Sequence, residues 1–222
     1  MNRRRLLTFG LAVMAGLLML ANVAPAQPVP DKEYRLIPTP QATSDPKKIE
    51  VIEFFSYACP HCAEFEPALE AWLKHKAKDV EFKEVPMVFR DNWKPTAKLY
   101  YTLEALGLVE KYQTKVYEAI HKQGKDMGTD QGVKNWAREA GIEPAKFDQV
   151  YDSFGIDAKT QRSRALGQAY GVQFTPSMAI NGKYYTGPSM VPSPNGGPPD
   201  YNRFFKVVDD LIEMERKAAK KK

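Results

Sequence analysis

An α/β fold interrupted by a block of helices is predicted by three observations. A mostly apolar run of strand length, Lys48 to Phe55, leads directly into apolar residues at helical spacing, Phe65, Leu69, Trp72 and Leu73. From Lys94 to Tyr170 the helical patterning continues with no strand between. Two short strand-like runs then follow, joined by Asn181-Gly182, the strongest short hairpin signal. Composition agrees: 222 residues, 43% apolar, 27% charged and only two Cys exclude collagen-like, disulfide-scaffold and wholly disordered classes.

The elements can be taken in order. Arg3-Arg4-Arg5, an uncharged apolar run from Leu6 to Ala21 and a small-x-small site at Ala24-Pro25-Ala26 follow the plan of a secretory signal peptide, residues 1–26. The apolar run falls short of the roughly 20 residues that span a bilayer. Asn2 to Leu7 loosely suits a twin-arginine exporter, but a basic n-region needs no such explanation and general secretion is the expected route. Gln27 to Lys48 reads as an arm with one possible edge strand at Tyr34 to Ile37. A strand to Phe55, a helix from about Cys59 to Ala77 and a strand from Val80 to Phe89 come next.

Five helical segments headed by Pro95, Val109, Asp130, Pro144 and Asp157 are closed by Gly107, Gly124, Gly141, Gly155 and Gly171. Five helices in a row exceed a simple crossover and imply a small bundle. Strands at Ser177 to Ile180 and Lys183 to Tyr185, a Pro- and Gly-rich loop and an amphipathic helix from Tyr201 to about Lys217 complete the chain.

The formal charge of +5 misleads. Of 32 Lys and Arg, three lie in the leader and five in the last seven residues; without them 24 face 27 Asp and Glu. A mildly acidic body argues against nucleic-acid binding. The lysine-rich end reads as solvated chain.

Export places Cys59 and Cys62 in an oxidising compartment. A four-residue loop is worth only about 2 kcal/mol as a staple, against roughly 3 for fifteen residues, and the 196 residues after Ala26 can bury a core without it. The pair is therefore better explained by chemistry. Cys59-Pro60-His61-Cys62 stands at a strand-to-helix junction, with Pro60 suited to the first turn. A thiolate at Cys59 would face unpaired backbone N–H groups and the positive end of the helix dipole, lowering its pKa. A protonated His61 would add charge, and stabilising the reduced dithiol makes the disulfide a stronger oxidant.

Glu53-Phe54-Phe55-Ser56-Tyr57, Cys59-Pro60-His61-Cys62, a helical insertion and Gly171-Val172-Gln173-Phe174-Thr175-Pro176 together resemble the bacterial periplasmic DsbA family of thiol:disulfide oxidoreductases, over roughly Ile49 to Ile212. The low thiol pKa is itself a known trait of that family, so the sign argued above is not independent of the resemblance. The resemblance implies a thioredoxin fold with an inserted all-helical domain. Its first part would be residues 27–90, the insertion 91–170, and the second part 171–222 with the basic tail. It implies that Cys59 is the nucleophile and Cys62 the resolving partner of a redox-active disulfide, that Pro60 and His61 tune the potential, and that Pro176 is a cis-proline beside the disulfide. Thr175 would pair with an extended substrate segment, where the best-known member carries valine. Tyr57 and Phe174, with Met178 nearby, flank the site as candidate groove residues or as core. Glu53, Glu66 and Lys83 align with charged groups near the active site, as a proton relay to Cys62 or an ion pair.

The expected function is a periplasmic, monomeric dithiol oxidase without cofactor, acting on reduced unfolded exported proteins and reoxidised by a membrane-embedded, quinone-linked partner of the DsbB type. A disulfide isomerase or reductase, and a non-catalytic peptide-binding module, are the alternatives. Isomerases of this compartment usually carry a preceding dimerisation domain, for which Gln27 to Lys48 is too short. Structural zinc needs four ligands and only His61, His75 and His121 accompany the cysteines. Haem attachment needs a histidine where Ala63 stands.

Overall fold

A computed structural model describes residues 27–194 and 196–220; the expected leader lies outside them. Five strands form one sheet in the order β1-β5-β4-β2-β3. Its centre is β2 (Ile49–Phe55), parallel to β3 (Val80–Pro86) and antiparallel to β4 (Ser177–Ile180). β4 pairs with β5 (Tyr184–Thr186), and β1 (Arg35–Leu36) closes that edge, as the arm's apolar piece suggested. Asn181 and Gly182 take φ of 51° and 67°, the left-handed pair that a two-residue hairpin turn requires.

Alternation along β2 assigns its faces. Val51 packs with Phe65 and Leu69 of α1 (Pro60–His75) and with Phe204, Val208 and Leu211 of α7 (Tyr201–Ala219). Ile52 and Phe54 pack on the other face with Val85, Met87 and Tyr170. Tyr170 ends α6 (Phe154–Tyr170), so the last helix before the hairpin covers the sheet directly.

The remaining helices are α2 (Lys94–Leu106), α3 (Val109–His121), α4 (Asp130–Glu139) and α5 (Pro144–Tyr151). Leu99, Leu103, Val116, Trp136 and Phe147 build their core, which is continuous with Phe55, Tyr57 and both cysteines. The helical block therefore shares its core with the CxxC end of the sheet. Two boundaries differ from expectation by a few residues: β3 stops at Pro86, short of the expected Phe89, and α6 begins early. Gly155 lies in the first turn of α6 and does not end a helix; Ser153 caps that helix by accepting from the Ile156 N–H, so α6 starts at Phe154, ahead of the expected Asp157.

Candidate active site

β2 ends at Phe55, and Ser56 to Ala58 turn the chain into α1. The Ser56 carbonyl accepts from the Cys59 N–H at 3.0 Å. Cys59 is the N-cap of α1, with extended φ and ψ of −92° and 117°, and Pro60 occupies the first helical position. Both cysteines are free thiols here. Cys59 retains 6% exposure and Cys62 1%, so only Cys59 offers its sulfur to an incoming thiolate.

The two thiols are driven apart. Cys59 is lowered to about 5, first by the hydrogen bond from the Cys62 thiol and then, against the opposing effect of burial, by the Thr175 hydroxyl and the backbone N–H groups of Cys62 and His61. Burial pushes Cys62 well up, and the hydrogen bond to Cys59 adds to it. The contribution of His61 differs from the expected imidazolium charge. Its ring is 77% exposed and turned to Glu64, at 3.1 Å, and it is the backbone N–H that faces the thiolate.

Because β4 runs antiparallel to β2, with Phe54 opposite Ser177, the chain entering β4 passes beside the start of α1. The Thr175-Pro176 bond is cis. As a thiol, Cys59 donates to the Thr175 carbonyl at 3.4 Å. A cavity of about 220 Å³ opens beside these residues, lined by His61, Phe174, Thr175, Pro176, Pro188 and Tyr201. Phe174 is thus where a groove residue was expected. Tyr57 is not: it is 1% exposed, stacked edge-on against Phe55 and Tyr117, with its hydroxyl donating to Gln113 Oε1 at 3.1 Å. Met178 is likewise fully buried.

Beneath the dithiol the expected acid and lysine are separated. β3 pairs Glu53 with Glu84 and Ile52 with Lys83, so Lys83 lies on the opposite sheet face. There it bonds Glu50 and Ser44. The face under Cys62 holds three carboxyls, Glu53, Glu66 and Glu84. Gln113 Nε2 donates to Glu66 Oε1 at 3.0 Å and to Glu84 Oε1 at 2.6 Å. Glu53 Oε2 is buried without a hydrogen-bond partner. Burial, joined by the charges of Glu84 and Glu66, holds Glu53 well above the usual carboxylate range. Burial likewise raises Glu66 and Glu84 to about 7, each offset in part by the Gln113 amide.

Glu84 and Gln113 escaped the sequence reading, although each carries a signal. Glu84 has the parity of Val80 and Phe82, which face the core. Gln113 lies at helical spacing with Val116 and Tyr117 on the buried stripe of α3.

A nucleophilic thiol at a helix start, a buried partner thiol three residues on and a peptide carbonyl alongside define a thiol–disulfide exchange enzyme. The comparisons agree. The DSBA-like thioredoxin domain matches residues 50–193. The thiol:disulfide interchange protein DsbA of Burkholderia cepacia is 39% identical over 206 residues, covering 92% of this chain and 95% of its own. That of Pseudomonas aeruginosa strain PAO1 is 35% identical over 218 residues, covering 98% and 100%. The crystal structure of Pseudomonas aeruginosa DsbA superposes with a TM-score of 0.80 at 35% identity, over 86% of this chain and 96% of that one. This chain belongs to the DsbA family: it has a thioredoxin fold with a helical insertion and is a thiol:disulfide oxidoreductase whose CxxC pair is Cys59 and Cys62.

Proposed function

We propose that the enzyme works in the oxidising direction in the periplasm, donating a Cys59–Cys62 disulfide to reduced exported proteins. The observation that carries this reading is the divergence of the two thiols. Cys59 is held as thiolate by donors that a disulfide cannot use, so reduction is favoured and the disulfide is the better oxidant, each tenfold of stabilisation being worth about 30 mV. A substrate thiolate attacks Cys59, and the Cys59–Cys62 bond breaks with its electron pair leaving on Cys62, which takes up a proton. The second substrate thiolate then attacks the substrate sulfur of the mixed disulfide, and Cys59 departs as thiolate.

Pro60 and His61 set the start of the helix that faces Cys59. Thr175, Pro176 and Phe174 form the face on which an extended substrate segment would lie, the residue 175 backbone pairing with it irrespective of side-chain sequence. Glu53 and Glu66 handle the Cys62 proton. Reoxidation falls to a membrane-embedded, quinone-linked partner of the DsbB type, the protein acts as a monomer, and residues 27–90 and 171–222 form one domain around the 91–170 insertion. Neither a cofactor nor a metal enters this scheme.

The test is the equilibrium of the purified protein with glutathione, together with its rate of oxidising a reduced unfolded protein. A potential well above that of thioredoxin and loss of activity in Cys59→Ser are expected. A potential as reducing as thioredoxin's would overturn the oxidase reading in favour of a reductase, and full activity of Cys59→Ser would remove the dithiol from the chemistry.

A further inference from the structure

We propose that Gln113, contributed by the helical block, is a positioning residue for the redox reaction: its carboxamide clamps Glu66 and Glu84 side by side so that, with Glu53, they form one shared proton store for Cys62. The inference deepens the proton handling proposed above and rests on the thiol–disulfide reading of the site.

Three elements converge on one side chain. Both hydrogens of the Gln113 amide are committed, one to Glu66 of α1 and one to Glu84 of β3, and its oxygen accepts from Tyr57. A buried amide with every donor and acceptor engaged is fixed in place. What it fixes is unusual, because three carboxyls share a buried volume in which no lysine or arginine pairs with any of them among the described residues. Like charges at such range cannot all be ionised, so at least one proton is held in common. The open acceptor in the cluster is Glu53 Oε2, which has no partner. Glu53 also senses the dithiol, since the Cys59 charge raises it and Glu53 in turn raises Cys62.

The groups facing the cluster come from every neighbouring element. Cys59 caps α1, Cys62 and Glu70 lie on it, Tyr57 precedes it, and Tyr100 and Glu104 lie on α2. Tyr117 lies on α3 and is raised first by burial and then by the charges of Cys62, Glu53 and Glu66; burial likewise raises Tyr57, so both stay protonated. The proton count closes. Two substrate thiols lose two protons; one replaces that delivered from the store to Cys62 when its sulfur leaves Cys59, and the other passes to water because Cys59 departs as thiolate. On reoxidation Cys62 gives up its proton through the store to the reoxidant or to water, so the store ends each cycle with the protons it began with.

The experiment measures the glutathione equilibrium and the rate of reduction by a small dithiol from pH 5 to 8 for the wild type, Gln113→Met and Glu66→Gln/Glu84→Gln, with infrared difference spectra between oxidised and reduced protein. Methionine keeps the volume of Gln113 and removes both donors that favour ionised carboxyls. Its break in the pH profile is expected to move up by about one unit, a typical worth for hydrogen bonds to charge. In the double carboxamide variant the break and the protonated-carboxyl band are expected to shrink together. A Gln113→Met profile that superimposes on the wild type would overturn the proposal. So would a shift of equal size when Gln113→Met is added to the double variant, because it could then come only from packing. If Gln113→Met fails to fold, an unchanged profile and band in the double variant are sufficient to overturn it. The wild-type potential alone tests the thiol–disulfide reading, so the two can fail separately.

Discussion

A carboxyl group taken out of water must find a cation, find donors or keep its proton. Glu50 takes the first course with Lys83, while Glu53, Glu66 and Glu84 take the other two. The difference predicts what Lys83 does. Lys83→Met strands the Glu50 carboxylate, whose side chain is 5% exposed, but touches nothing on the dithiol face. Because Lys83 is itself about one-third exposed and Ser44 remains as a donor to Glu50, a loss of about 1 kcal/mol is expected in urea unfolding, with the glutathione equilibrium unchanged at every pH. A changed equilibrium would restore the lysine to the relay from which its strand parity removes it. Register explains why the sequence misled here: moving one residue along a strand exchanges faces, and Lys83 and Glu84 differ by that one step. Cys59, Cys62 and Pro60 were legible because their relation is local, fixed by three residues of one helix start. Gln113 reaches Glu66 and Glu84 only through the packing of α3 on α1 and β3, which no local pattern encodes.

At the scale of elements, the site depends on how chain ends are aimed. β2 and the start of β4 bring Cys59 and Thr175 together because the two strands are antiparallel neighbours. The hairpin that sets this arrangement turns at Asn181 and Gly182. A Cβ on Gly182 would lie 2.1 Å from the Gln41 carbonyl oxygen, and its φ of 67° already disfavours any side chain. Gly182→Ala is therefore expected to destabilise by about 2 kcal/mol or more, combining strain with displacement of the arm. A urea midpoint within error of the wild type would show that the arm moves aside freely. Such turns, and most helix starts, could be read from sequence because Asn-Gly and Pro act on their own backbone. The start of α6 could not, since Gly155 signals a stop in isolation while the Ser153 cap and the packing of Ile156, Thr160 and Tyr170 carry the helix through it.

The whole molecule couples this chemistry to its stability. In the reduced protein Cys59 titrates near 5, against about 8.5 when unfolded. A group whose folded pKa is depressed contributes stability that is fully present above the unfolded value and is lost as pH falls toward the folded one. Glu66 and Glu84 act in the opposite sense. Raised to about 7, they contribute stability present below about 4.3 and lost as pH rises to 7. The disulfide form keeps these carboxyls but has no thiol to titrate, so subtracting its stability from that of the reduced form leaves the Cys59 titration and only the smaller part of the carboxyl titration that responds to the dithiol charge. Cys62, raised by burial, adds nothing below pH 8, where it stays protonated folded and unfolded alike. The reduced form is thus expected to gain about 2–3 kcal/mol on the oxidised form between pH 5 and 7. Paired urea titrations of the two forms check this directly. A difference that stays flat over that range would mean that the Cys62 thiol, Thr175 and the helix start do not hold Cys59 as a thiolate, and the physical basis for oxidising power would go with it. The same titration on Cys59→Ala compared with the disulfide form should be flat, which isolates the slope to one sulfur atom.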